Sequence, residues 1–154
     1  MTTSEQGKRD AAPVVLQLTS NGVGMGHLSR QVAIASAAGS HYTPVLASMS
    51  TAVATVSQSL ASGQLPGLEG LQTEYVASRK TPLWPTGQPG RVFPLFAWEH
   101  YLRDRIVDLA TAVKAQAVVF DGVSPYQGLL DAAAALPGTP FVWVRRGMWL
   151  PGVG

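Results

Sequence analysis

The stretch Val14-Val15-Leu16-Gln17-Leu18-Thr19-Ser20-Asn21-Gly22-Val23-Gly24-Met25-Gly26-His27 decides the fold. Its first half is short, apolar and β-branched and runs into a polar, glycine-rich turn, the pattern of a buried strand. Residues 27–38 follow with Leu28, Val32 and Ala35 on one face and Ser29, Arg30 and Gln31 off it, a helical spacing that stops at Gly39. A buried strand feeding a helix through a glycine turn is the first unit of an α/β sheet.

The alternation repeats along the chain. Residues 44–47 read as a second strand, 51–60 as a helix stopped by Gly63, and 71–76 as a third strand. Trp98, Leu102, Ile106, Leu109 and Val113 then fall at i, i+4, i+8, i+11 and i+15, with Glu99, Arg103, Asp104 and Asp108 elsewhere, which predicts an amphipathic helix from Trp98 onward. Residues 117–120 read as a fourth strand ending at Asp121-Gly122, 126–135 as a fourth helix and 141–144 as a fifth strand. Near-continuous apolar strands alternating with helices imply a Rossmann-like, doubly wound parallel α/β sheet of about five strands with helices on both faces.

Size and composition agree with one such domain. The 154 residues suffice for a single core; residues 13–154 are expected to form it and the polar residues 1–12 to be a disordered leader. Hydrophobic residues make up 46% and charged residues 13%, against roughly 25% charged in an average globular chain. The net charge of +2 comes from scattered residues, so no nucleic-acid partner is expected. The absence of cysteine excludes disulfides, thiolate zinc sites and a cysteine nucleophile, and His27, His41 and His100 lack metal-ligand spacing, so no metal is expected. No apolar run approaches the ~20 residues that span a bilayer, and a cytoplasmic location is the expectation.

Two stretches break the alternation. Residues 78–96 are rich in proline, glycine and aromatic side chains with Arg79, Lys80 and Arg91 among them, and 145–154 form a tail. Loops this long are uncommon unless functional. The first reads as a binding loop or lid, or as a hydrophobic loop that packs over the edge of the domain.

In an open parallel sheet ligands bind beyond the carboxyl ends of the strands, at the switch point beside the first strand. Two segments converge there: the turn holding Gly22, Gly24, Met25 and Gly26, and the segment Asp121-Gly122-Val123-Ser124-Pro125-Tyr126 after the fourth strand. Glycines allow close backbone approach, and free N–H groups at a helix start favour an anion. A dinucleotide fingerprint would need glycine at His27 and an acidic residue some 20 positions on. The chain has no Asp or Glu between Asp10 and Glu69 and no arginine between Arg30 and Arg79, so NAD and NADP are disfavoured. The lysines stand at 8, 80 and 114, outside any Gly-Lys-Ser/Thr motif, which disfavours ATP hydrolysis.

His27, in the first turn of a helix, feels the positive dipole end, which favours the neutral imidazole and a proton acceptor. Asp121 is the acidic residue placed to orient its second nitrogen. His27 and Asp121 form a candidate base and orienting pair; the alternatives are that His27 only contacts the loop and that Asp121 only caps the following helix. Arg145 and Arg146 follow the fifth strand at the same edge, where they could hold a diphosphate or an acidic acceptor, or simply face solvent.

The segment Ser20-Asn21-Gly22-Val23-Gly24-Met25-Gly26-His27-Leu28-Ser29-Arg30 resembles the N-terminal, acceptor-binding domain of GT-B glycosyltransferases, especially the lipid-linked and cell-wall N-acetylglucosaminyltransferase group. Asp121 to Tyr126 and Trp143-Val144-Arg145-Arg146-Gly147-Met148-Trp149 also look like bacterial members of that group. The resemblance implies an inverting transferase, with His27 as the base on an acceptor hydroxyl and Asp121 pairing with it. It implies a nucleoside-diphosphate sugar as co-substrate, UDP-linked in the first instance, and no further cofactor. Gly22, Gly24, Met25, Gly26, Ser124, Tyr126, Arg145 and Arg146 are the substrate- and phosphate-binding candidates. It also implies a second, donor-binding domain or a partner subunit, with a lipid-linked acceptor and peripheral contact at a membrane surface as further expectations. The rival readings are a non-catalytic anion-binding module and a membrane-surface subunit of a split glycosyltransferase.

Overall fold

Strands and helices alternate strictly in the computed structural model, which describes residues 12–20, 25–79 and 94–145. The order is β1 (Val14–Thr19), α1 (Gly26–Ala38), β2 (Thr43–Ser48), α2 (Val53–Ala61), β3 (Gln72–Tyr75), α3 (Leu95–Ala112), β4 (Ala117–Asp121), α4 (Gln127–Ala135) and β5 (Phe141–Val144). The expected leader except Ala12, the expected loop over 80–93, Gly22, Gly24, and the tail from Arg146 lie outside the described residues.

The five strands form one sheet in the order β3-β2-β1-β4-β5, with every neighbouring pair parallel. The chain therefore winds outward from β1 to β3, crosses back, and continues on the other side through β4 and β5. The switch point falls between β1 and β4, the doubly wound α/β arrangement expected from the alternation.

Residues paired across a parallel sheet share a face, and neighbours along a strand alternate between faces. Leu16 and Leu18 of β1, Val45 and Ala47 of β2, and Val118 and Phe120 of β4 project to one face. There they pack with Trp98, Leu102, Ile106, Leu109 and Ala110 of α3 and Leu129 and Ala132 of α4. On the other face a smaller cluster joins Leu46 of β2 to Leu28 of α1 and Val56 of α2. Helices thus cover both faces, α3 and α4 on one and α1 and α2 on the other.

Two local expectations need correction. Helix α3 starts at Leu95, not at Trp98, because Pro94, extended at φ −51° and ψ 137°, stands at its N-cap. Its added turn exposes Leu95 and Phe96, so the apolar spacing that begins at Trp98 gives no sign of it. Gln31, assigned off the buried face of α1, is fully buried. The inward face of α1 carries His27, Leu28, Gln31, Ala35 and Ala38, while Val32 is only half-buried. Helix α1 ends at Gly39, whose φ of +55° is the left-handed conformation that glycine adopts without strain.

Candidate functional site

The carboxyl ends of β1, β2 and β4 lie in one register row, with Ser48 opposite Thr19 and Thr19 opposite Asp121. Being paired, these three residues share a face, the one that α1 covers. Each is almost fully buried, so each polar group must find a partner. The Thr19 and Ser48 hydroxyls bond to each other at 2.6 Å, and Ser48 Oγ also accepts the Ser50 amide at 3.0 Å. The strand main chains are tied at the same level, the Ser20 amide donating to the Asp121 carbonyl.

Asp121 is 1% exposed and its carboxylate turns up to α1. His27 Nδ1 lies 2.7 Å from Asp121 Oδ1. A carboxylate only accepts, so Nδ1 carries the hydrogen, and in the neutral ring Nε2 then holds the lone pair. Arg30 Nη1 reaches the same oxygen at 3.3 Å, and Gln31 Nε2 donates to Oδ2 at 3.2 Å. Asp121 does not cap a helix: α4 begins with Tyr126 at its N-cap and no side-chain cap bond. His27 is the second residue of α1, at the positive end of the helix dipole. A neutral imidazole in this arrangement has one nitrogen anchored to an anion and the other able to take a proton.

Gly122 fits beneath this edge for a steric reason. A side chain there would overlap the Phe120 ring and crowd Ser20, and the Gly122 carbonyl accepts Trp143 Nε1 at 3.0 Å. Met25 stands half-exposed at the N-cap of α1 and Gly26 is the first residue of that helix. Ser124 is exposed in the turn after β4. Arg145 is exposed, its guanidinium 4.8 Å from the centre of the Trp143 ring, while Arg30 is the arginine that meets Asp121.

Tyr126 lies on the opposite face. Its ring makes edge contacts with Trp98 and Phe120, centroids 5.0 and 5.8 Å apart. Burial, and secondarily the Glu99 carboxylate, raise the Tyr126 phenol above its usual value. Tyr126 helps line a cavity of about 280 Å³ with Met49, Ser78, Arg79, Leu95, Trp98 and Glu99. Met49 follows β2, Ser78 and Arg79 follow β3, and the others open α3 and α4, so the cavity sits at the carboxyl edge too. His27 and Asp121 are not among its described lining residues.

Sequence reasoning gave no role to Arg30 or Gln31, although a signal existed. They stand three and four residues after His27, the spacing that puts side chains on one helical face. Of the cavity residues, Tyr126 stood among the binding candidates and Ser78, Arg79 and Leu95 in the expected binding loop, whereas Met49, Trp98 and Glu99, from other segments, carried no such signal. Among the described residues no group of three or more His, Asp or Glu could hold a metal ion, and no helix is long and apolar enough to cross a membrane.

No protein-family model matches the chain, and no curated protein does. Solved structures do. A glycosyltransferase from Rickettsia africae superposes with a TM-score of 0.58 at 13% identity, over 92% of this chain and 32% of that one. UGT2 of Phytolacca americana, solved with UDP-2fluoro-glucose and pterostilbene, gives 0.53 at 21% identity, over 86% of this chain and 30% of that one. The C-terminal domain of a hydrogenase from Pyrococcus furiosus gives 0.51 at 10% identity. The chain thus spans about a third of the glycosyltransferases it matches. At these identities the likeness fixes the fold alone: a Rossmann-like α/β domain, shared by the glycosyltransferases and the hydrogenase domain.

Proposed function

We infer that this chain is the acceptor-binding, N-terminal half of an inverting GT-B glycosyltransferase, akin to the lipid-linked and cell-wall N-acetylglucosaminyltransferase group. The observation that carries the reading is the 2.7 Å contact between His27 Nδ1 and buried Asp121, beside the sheet's switch point. His27 Nε2 takes the proton of an acceptor hydroxyl as its oxygen attacks the anomeric carbon. The bond from that carbon to the nucleoside diphosphate breaks, the diphosphate leaves with the electron pair, and the configuration inverts. Asp121 stabilises the imidazolium that forms, as a buried carboxylate does when it faces a developing cation. The cavity lined by Trp98, Tyr126 and Leu95 is the place for the apolar body of the acceptor, a lipid-linked alcohol included. A second domain or a partner subunit holds the donor, UDP-linked in the first instance, with Arg145 at the shared edge and Arg146, its neighbour in sequence, as phosphate contacts.

The test is nucleoside-diphosphate release from UDP-, GDP-, ADP- and dTDP-sugars by the protein purified from its native source, with alcohol and lipid-alcohol acceptors. A mature protein of roughly twice these 154 residues or more is expected. His27→Ala should lower transfer by about 10²- to 10⁴-fold while donor binding stays within twofold. Unchanged transfer in that variant overturns the base assignment, and ligand binding with no transfer from any donor favours an anion-binding module.

A further inference from the structure

The Asp121 carboxylate is gripped from one helix at three points. His27, Arg30 and Gln31 occupy positions i, i+3 and i+4 of α1, so all three reach it from the same side. His27 and Arg30 share Oδ1, and Gln31 takes Oδ2.

Gln31 is the informative member. It is fully buried, yet its own Oε1 has no hydrogen-bond partner among the described residues. A buried amide with one end unpaired loses hydration without return, and an apolar residue of the same length would fill that space more cheaply. Packing therefore does not account for a glutamine here. What the amide supplies is a fixed donor to the oxygen that His27 does not use. The carboxylate oxygen can only accept, so the orientation of the Gln31 amide is set as well.

We propose that Gln31, seconded by Arg30, is a positioning residue that sets the protonation pattern of His27. With Oδ2 held by the amide, the carboxylate does not turn about its Cβ–Cγ bond, and Oδ1 stays in line with His27 Nδ1. The ring hydrogen of the neutral imidazole is then confined to Nδ1, and Nε2 keeps the lone pair that accepts a proton. Arg30, with its side chain about one-third exposed, adds a cation to the shared oxygen and keeps that oxygen turned to α1. This inference rests on the reading of His27 as the base, but its first test does not.

That test is the long-range ¹H–¹⁵N spectrum of the full chain above neutral pH, which separates a protonated ring nitrogen from an unprotonated one. In the native sequence His27 should show a single tautomer with the hydrogen on Nδ1. Gln31→Met, which keeps the length and removes the donor, should give a mixture of both tautomers without loss of thermal stability. Gln31→Asn, which draws the amide back by one methylene, gives the same readout should Gln31→Met not fold. A single unchanged Nδ1 tautomer in either folded variant overturns the proposal. In the complete transferase, Gln31→Met should lower kcat on the order of 10²-fold with KM for the donor within twofold, and Arg30→Lys should retain most turnover. Equal loss in kcat and thermal stability would mark Gln31 as merely structural. The two readings fail separately: mixed tautomers with full transfer by His27→Ala overturn the base, and a fixed tautomer with transfer lost in His27→Ala overturns only the positioning.

Discussion

The two faces of the sheet are built on different principles. Under α3 and α4, β1, β2 and β4 contribute Leu16, Leu18, Val45, Ala47, Val118 and Phe120, and the helices answer with Trp98, Leu102, Ile106 and Leu129. Under α1 the same three strands contribute Gln17, Thr19, Ser48 and Asp121, all buried, and the helix answers with His27 and Gln31. One face is held by removing apolar surface from water; the other adds to its smaller apolar cluster of Leu28, Leu46 and Val56 a row of buried polar groups, most of which find partners. The difference teaches where function can be placed in such a sheet. The apolar face supplies stability, and the polar face can then carry groups that a core would reject.

The sharpest way to break that contrast is to cut a large side chain from the apolar face. Phe120→Ala should cost about 3–5 kcal/mol in denaturant unfolding, since Phe120 also supports Tyr126 and closes over Gly122. A cost near zero would mean that this face is not the stabilising one. On the polar face, Thr19→Val removes one hydroxyl of the Thr19–Ser48 pair at constant shape. It should cost about 1 kcal/mol, because Ser48 Oγ keeps the Ser50 amide as a partner. A loss as large as that of Phe120→Ala would erase the distinction between the faces.

The smallest effect concerns Tyr126 and appears only in alkali. Its folded-state value is raised, so the folded protein holds the phenolic proton in a range where the unfolded chain has begun to release it, above the ordinary tyrosine value of about 10. Its contribution is complete below that value and is lost as pH rises through the raised one. Tyr126→Phe should flatten the alkaline fall in stability, measured by thermal unfolding between neutral pH and alkali. A steeper fall in the variant would contradict the assignment of burial as the cause.

Much of this was legible in the sequence, for reasons that differ by element. Each strand carries a short apolar run bounded by glycine or polar turns, so strand identity and the parallel α/β arrangement follow from local pattern. That β4 would lie beside β1, bringing Asp121 to the end of helix one, follows from the switch-point rule. The buried glutamine was missed because a polar residue in a helix of modest amphipathicity reads as solvent-facing unless its partner is known. Gln17 and Thr19 hid in the same way inside a strand that reads as apolar. The cavity as a whole was not read, although Tyr126 and the loop holding Ser78 were binding candidates, because Met49, Ser78, Glu99 and Tyr126 become neighbours only when three crossovers have been completed.

The contact between His27 and Asp121 joins residues 94 positions apart. Pairings of such separation pay their loop-closure entropy late, after local helices and the shorter crossovers have formed. During synthesis the first three strands can emerge and pair while the partner of His27 is still untranslated. The His27–Asp121 pair therefore comes into being only when β4 inserts beside β1, and a nascent chain with its first three strands in place would lack both that pair and the helices that cover the apolar face.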